Sequence, residues 1–228
     1  MQEPGYYIDL NDINLEKFRD NLKNSRLLPS QQKLLENTDK RFITMEDHGI
    51  YNMEQLKNRL KTKKDVLLFS DETGLPVDYL TILRREVNSY QPKPIRLTDF
   101  PDIDSQNTQQ LGQLGIKNTK QLFPFVRSPI EREELAERSQ IDSEAVLELT
   151  KLTDVARVKW VGPKFARLLV ESEFDTVEKI AYSDYQELYA ALGKINESTG
   201  IYKGKLGIED MKQWVLIVAR DKPPAIQY

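Results

Sequence analysis

The residues best suited to bind a ligand lie in the segment Arg157–Arg167, whose sequence is Arg-Val-Lys-Trp-Val-Gly-Pro-Lys-Phe-Ala-Arg. The segment holds four basic side chains and no acidic one. Gly162 followed by Pro163 is typical of a turn that leads directly into a helix, and backbone N–H groups at a helix start bind phosphate oxygens. We therefore predict a site that contacts the phosphate backbone of nucleic acid. Its predicted members are Arg157, Lys159, Gly162, Lys164 and Arg167.

A helix, a glycine-containing turn and a second helix form a helix-hairpin-helix, in which small turn residues let phosphate approach the backbone. Helical spacing places Lys164 and Arg167 about one turn apart near the positive end of the second helix, which predicts a phosphate clamp. Trp160 departs from the pattern, because it occupies the position two residues before Gly162 where a second glycine is usual. Its indole either blocks the backbone or is buried under the hairpin, so a purely structural hairpin stays an alternative.

An internal repeat organises the elements that position this segment. With an offset of 66 residues, Gly49-Ile50-x-Asn52-x-x-Gln55-Leu56 coincides with Gly115-Ile116-x-Asn118-x-x-Gln121-Leu122. A third copy follows at an offset of 58, where Ile103, Leu111, Ile116 and Leu122 coincide with Val161, Leu169, Phe174 and Ile180. Apolar residues recur at helical intervals and capping pairs sit at equivalent positions. The pattern predicts an all-α fold of tandem helix-hairpin-helix repeats, a helical bundle of the SAM/HhH-like kind.

The first two hairpins lack the chemistry of the third. The turn Phe100-Pro101-Asp102-Ile103-Asp104-Ser105 has no glycine and two acidic residues, which would repel phosphate. The first turn, near Glu36-Asn37-Thr38-Asp39, also lacks glycine. We therefore expect these two hairpins to serve the fold alone.

The stretch Pro92-Lys93-Pro94 cannot continue a helix, which makes Tyr90–Pro94 the predicted joint between two halves. Residues 1–92 are predicted to form an N-terminal half with the first unit, and residues 93–228 a C-terminal half with the second and third units. The predicted helices are Leu15–Leu22, Val77–Asn88, Ser143–Ala156, Leu152–Lys159, Lys164–Ser172, Val177–Tyr182 and Ile208–Arg220, the last followed by a stop at Pro223-Pro224.

Composition argues against several classes of protein. The chain has no cysteine and a single histidine, His48, so thiol catalysis and disulfides are excluded and a reducing, cytoplasmic setting is expected. Nucleotide-binding loops and paired-histidine metal motifs are absent, and we expect a non-enzymatic protein without a cofactor. No apolar run is long enough for a membrane helix. Lys164 with Asp175 superficially resembles the lysine and aspartate of a DNA glycosylase, which is the one enzymatic alternative.

Three segments carry a resemblance to a known family: Gly115-Ile-Lys-Asn-Thr-Lys-Gln-Leu-Phe123, Leu149-Thr-Lys-Leu-Thr-Asp-Val-Ala-Arg157 and Trp160-Val-Gly-Pro-Lys-Phe-Ala-Arg167. They resemble an uncharacterised bacterial family of tandem helix-hairpin-helix proteins, domain of unknown function 4332, over most of residues 6–222. The resemblance implies a helical fold and no particular activity. The wider helix-hairpin-helix group implies sequence-independent DNA binding.

Two functional hypotheses remain open from the sequence. In the first, the third hairpin grips the backbone of duplex DNA. In the second, the repeats form a scaffold that presents an acidic or concave face to a protein partner. The net charge of −3 favours the scaffold, because nucleic-acid-binding domains are usually basic. The local charge of the third hairpin favours nucleic acid.

Overall fold

The computed structural model describes residues 5–25, 27–213 and 225–228. Within these residues the regular structure is helical, apart from two isolated antiparallel bridges that join Asn14 to Asn52 and Arg96 to Asn118. The predicted all-α class is confirmed. No helix in these ranges combines the length and the apolar character needed to cross a membrane.

The chain divides into two compact units, which we call the N-terminal unit (Ile8–Gln91) and the C-terminal unit (Pro92–Tyr228 with residues 5–7). Residues 5–7 were assigned from the sequence to the N-terminal half, but they pack in the C-terminal unit. The reason is Tyr6, whose hydroxyl lies 2.6 Å from Thr119 Oγ1 and whose ring meets Phe123 edge-on at 5.6 Å.

The N-terminal unit has its own apolar core, which includes Phe18, Phe42 and Phe69. Asn14 begins the first helix by accepting a hydrogen bond from the N–H of Lys17 at 2.7 Å, as expected of an N-cap. The described α-helices of this unit are α1 (Leu15–Asn24), α2 (Thr38–Asp47), α3 (Met53–Arg59), α4 (Lys63–Thr73) and α5 (Val77–Ser89).

The C-terminal unit is built around a second core, and the helices on either side of the third hairpin contribute Leu149, Leu152, Leu168 and Leu169 to it. Its described α-helices are α6 (Ser105–Gln113), α7 (Thr119–Leu122), α8 (Pro129–Ser139), α9 (Ser143–Val155), α10 (Pro163–Val170), α11 (Val177–Tyr182), α12 (Tyr185–Thr199) and α13 (Ile208–Gln213). The rest of the predicted last helix and the stop at Pro223-Pro224 lie outside the described residues.

The sequence periodicity reappears in the helix boundaries. An offset of 66 carries the bounds of α4 onto α8 and those of α5 onto α9. The same offset relates two cap bonds, from Gln55 N–H to Asn52 at 2.9 Å and from Gln121 N–H to Asn118 at 3.0 Å. An offset of 58 carries the first residues of α6 and α7 onto those of α10 and α11. The copies therefore share their helical frame.

One predicted helix extends four residues past the observed helix end. We expected a helix over Leu152–Lys159, but α9 ends at Val155. Beyond it the N–H of Arg157 bonds to the carbonyl of Asp154 at 3.1 Å, which is a tighter turn than an α-helix makes. Arg157 and Lys159 therefore lie in the hairpin turn.

Candidate functional site

The candidate site is the turn that joins α9 to α10, residues 156–162. Val158 and Val161 hold this turn in the core, and the N–H of Val161 donates to the carbonyl of Val158 at 3.2 Å. Between them Trp160 adopts a φ of +68°, in the left-handed region. That conformation costs a residue with a Cβ about 1–2 kcal/mol. The turn is thus anchored by two valines and strained at Trp160.

The start of α10 is open. Gly162 is the N-cap with extended backbone (φ −92°, ψ 175°), and a Cβ placed there would meet no atom within 4 Å. No side chain caps this helix, and Pro163 at its first position carries no N–H. Lys164 is exposed and forms no ion pair with any residue that the structure describes. Open backbone and an exposed ammonium therefore lie next to the positive end of a helix.

Lys159 and Trp160 form a pair at the tip of the turn. The Lys159 ammonium lies 4.2 Å from the centre of the Trp160 ring, within cation–π range. Lys159 is itself buried, with 7% of its surface exposed, whereas Trp160 is 62% exposed. From the sequence we expected the indole either to block the backbone or to be buried under the hairpin. It is not buried, and the space around Gly162 is open.

Arg157 points into the core of the unit, where 1% of its surface is exposed. Its Nη1 donates to Asp154 Oδ1 at 2.7 Å and its Nε donates to the carbonyl of Tyr6 at 3.2 Å. Its guanidinium carbon also lies 5.2 Å from the ring centre of Phe123. In this arrangement Arg157 ties the hairpin to the N-terminal segment and presents no donor to solvent.

Arg167 is also buried, with 3% of its surface exposed. Its Nε donates to the carbonyl of Pro101 at 2.9 Å, and its Nη1 pairs with the carboxylates of Glu148 and Glu171. The predicted clamp of Lys164 with Arg167 does not form in this structure, because the Arg167 guanidinium is engaged by these acceptors.

Asp154 is the partner that sequence reasoning missed. This carboxylate is 3% exposed and also accepts from the N–H of Val177 at 3.0 Å and from the hydroxyl of Tyr228 at 3.2 Å. Burial raises the pKa of Asp154, and the Arg157 charge acts against that rise. The spacing of three residues between Asp154 and Arg157 on a helical segment is the signal that would have found the pair.

Asp175 belongs to a separate ion-pair cluster. Burial raises its pKa, but hydrogen bonds and charges from Lys151 and Lys179, each 2.6 Å from a carboxylate oxygen, outweigh burial and leave it below the usual value. The next residue, Thr176, is the N-cap of α11. Asp175 is thus neutralised by these two lysines.

The structure therefore divides the five predicted site residues into two groups. Gly162 and Lys164 lie open at the start of α10. Lys159, predicted to contact the ligand, is instead buried against Trp160. Arg157 is held in a buried ion pair, and Arg167 is buried with its guanidinium paired to the partly exposed carboxylates of Glu148 and Glu171. In the described ranges, no three His, Asp or Glu side chains are grouped as a metal ion would require.

A family model described as a domain of unknown function (DUF4332) matches residues 101–219, a range that includes the third hairpin with α9 and α10 on either side of it. No curated protein and no solved structure matches the chain significantly.

Proposed function

The chain belongs to the DUF4332 family, and from that starting point we propose that it is a non-enzymatic binding protein whose third helix-hairpin-helix contacts the backbone of nucleic acid. The observation that carries this proposal is the open start of α10, where the uncapped Gly162 adjoins the exposed Lys164. The shared frame at offsets of 66 and 58 supports the tandem helix-hairpin-helix arrangement.

The chemistry of this helix start suits a phosphate. Helix N-termini carry a partial positive charge and N–H groups without intrahelical partners, so they favour anions. The N–H of Lys164 has no hydrogen-bond partner among the residues described, and its ammonium supplies a full charge on the same residue. A phosphate oxygen can approach at Gly162 because no side chain occupies that space.

Arg157 and Arg167 take a different role in this proposal. Since both side chains are buried and both are paired with carboxylates, they build the hairpin and do not contact the ligand. The phosphate contacts are then about one or two per hairpin, and the logarithm of the binding constant falls by about 0.9 per contact for each tenfold rise in salt. Between 50 and 200 mM salt we expect affinity for duplex DNA to fall by roughly 3- to 12-fold.

The test measures binding of a fluorescently labelled 20-base-pair duplex by anisotropy at about 50 and 200 mM salt. Lys164→Glu should weaken binding at the lower salt at least about fivefold. Lys194→Glu is the matched control, because Lys194 is an exposed lysine on α12 of the same unit and should change affinity less than about twofold. Equal effects of the two variants would refute the assignment to this hairpin.

Gly162→Ala tests the backbone contact separately. The glycine has a negative φ and open surroundings, so alanine fits there and should change the stability of the protein by no more than about 1 kcal/mol. It should still weaken binding, because the added methyl group occupies the space through which a phosphate would approach. Unchanged affinity in Gly162→Ala would remove the backbone from the proposal and leave only the Lys164 charge.

A protein-interaction scaffold is the second candidate. The observation that favours it is α8, which exposes Glu133, Glu134 and Glu137 together with Ile130, whose exposed fraction is 67%. Such a face would suit a basic partner with an apolar contact. Wild-type protein that binds neither duplex nor single-stranded nucleic acid at the lower salt would favour this candidate over the first.

A further inference from the structure

Trp160 is unfavourable in two respects, because both its backbone conformation and the exposure of its apolar ring raise the free energy of the folded state. Its φ of +68° lies in a region that bulky residues avoid, and 62% of its surface is in contact with solvent. The equivalent position in the second hairpin, 58 residues earlier, is Asp102 with a φ of +55°. Aspartate tolerates the left-handed region better than tryptophan does. The fold of the turn therefore does not require an indole at this position.

The indole is also held in place. Lys159 sets its ammonium 4.2 Å from the ring centre, and Lys159 is itself 7% exposed and so belongs to the packed part of the hairpin. A ring fixed in this way loses little conformational freedom when a ligand binds it. The rest of the exposed ring surface stays open to a ligand.

The surroundings of the ring point to the kind of ligand. Five consecutive residues bring together three features: the exposed ring of Trp160, the open backbone of Gly162 and the exposed Lys164 at the start of α10. A nucleotide strand has groups that suit these residues, because each aromatic base could stack on the indole while the neighbouring phosphate contacts Gly162 and Lys164. In a continuous duplex the faces of the bases are covered by their neighbours, and only base edges are accessible in the grooves.

We propose that Trp160 is a stacking platform for an unpaired base, so that the third hairpin prefers single-stranded nucleic acid to continuous duplex. This inference rests on the nucleic-acid-binding function proposed above and names its substrate class. Stacking of a base on an aromatic side chain is worth roughly 5- to 140-fold in affinity. The hairpin thus combines one stacked base with phosphate contacts at the start of α10.

The experiment compares a labelled oligothymidine of about 15 nucleotides, which has little structure of its own, with a covalently closed dumbbell duplex, which has no unpaired ends. Anisotropy is measured at about 50 mM salt for the full-length protein. Wild-type protein should bind the single strand at least about fivefold more tightly than the dumbbell. Trp160→Gly should lose this preference, and Trp160→Phe should keep most of it.

The variants are chosen so that folding does not confuse the result. Glycine suits the left-handed conformation, so Trp160→Gly should fold at least as stably as the wild type. Tyr182→Ala is the matched control, because Tyr182 is an 80%-exposed aromatic residue on α11 of the same unit and should not alter the preference. The indole emission should be quenched by oligothymidine in the wild type and not in Trp160→Phe, which retains the chain's other tryptophan.

The outcomes separate this inference from the proposed function. Equal affinity for the two probes, or a Trp160→Gly variant that keeps the preference, overturns the stacking platform while duplex binding through Lys164 still stands. Wild-type protein that binds neither probe overturns both, and it assigns the exposed indole to a protein contact instead.

Discussion

The sharpest prediction concerns two basic residues that are seven positions apart and look alike in the sequence. Arg157 is 1% exposed and paired with the buried Asp154, whereas Lys164 is exposed without an ion-pair partner in the described part of the chain. We expect Arg157→Ala to destabilise the C-terminal unit strongly. We expect Lys164→Ala to leave its stability unchanged within about 0.5 kcal/mol.

The magnitude follows from the burial of the pair. Removing one member of a buried ion pair leaves the other charge uncompensated and costs about 3–5 kcal/mol. The hydrogen bond from Arg157 Nε to the carbonyl of Tyr6 is lost as well, which lowers the unfolding free energy further. Taking about 4 kcal/mol, the melting temperature should fall by roughly 8–16 °C, at about 2–4 °C per kcal/mol for a protein of this size.

The assay is urea unfolding followed by circular dichroism, with thermal melts as a second measure. Asp154→Leu combined with Arg157→Met should recover much of the loss, since apolar residues can replace a buried ion pair without penalty. At acidic pH the difference in unfolding free energy between Arg157→Ala and the wild type should become smaller, because protonation neutralises the Asp154 that remains. A loss below about 1 kcal/mol in Arg157→Ala would refute the structural role of the pair. A double variant no more stable than Arg157→Ala would show that the loss does not come from the uncompensated charge of Asp154.

Two further predictions concern the same unit. Asp175→Asn should cost about 1–2 kcal/mol of unfolding free energy at pH 7, because it removes the ion pairs with Lys151 and Lys179. These pairs lower the pKa of Asp175 in the folded state. Their contribution to stability is therefore fully present above the unfolded pKa of about 4. The difference in unfolding free energy from the wild type should shrink as the pH falls through the folded pKa, and a pH-independent difference would contradict this. Leu169→Ala, in α10 and fully buried, should cost about 2–5 kcal/mol in urea unfolding; a cost under about 1 kcal/mol would contradict the packing of α10 against the core.

Much of the helical frame could be predicted from the sequence, because its signals are local. The helix over Val177–Tyr182 and the starts of α1, α5 and α9 agree with their predicted positions. Capping residues such as Asn52 and Asn118 act within three residues of themselves, so their positions fix helix starts without reference to the rest of the chain. The end of α9 was predicted less well, because the hairpin turn depends on where Arg157 finds its partners.

The membership of the candidate site could be predicted only in part. Counting basic residues places four of the five candidates in one hairpin, and the glycine turn adds Gly162 as the fifth. The amphipathic spacing of α10 allows Arg167 to face either solvent or core. The choice depends on acceptors that are remote in sequence, the carbonyl of Pro101 and the carboxylate of Glu148. A local pattern contains no information about such partners.

By itself, the sequence determined the repeat, the helical class and the location of the one glycine hairpin rich in positive charge. Each of these depends on interactions between residues close together in the chain. The tertiary structure decided which side chains of that hairpin reach solvent. It buried Arg157 against Asp154 and Tyr6, because a charged side chain is stable in the core only where an opposite charge and hydrogen-bond acceptors surround it. It left Lys164 and the strained Trp160 outside, since the fold supplies neither of them with a buried environment.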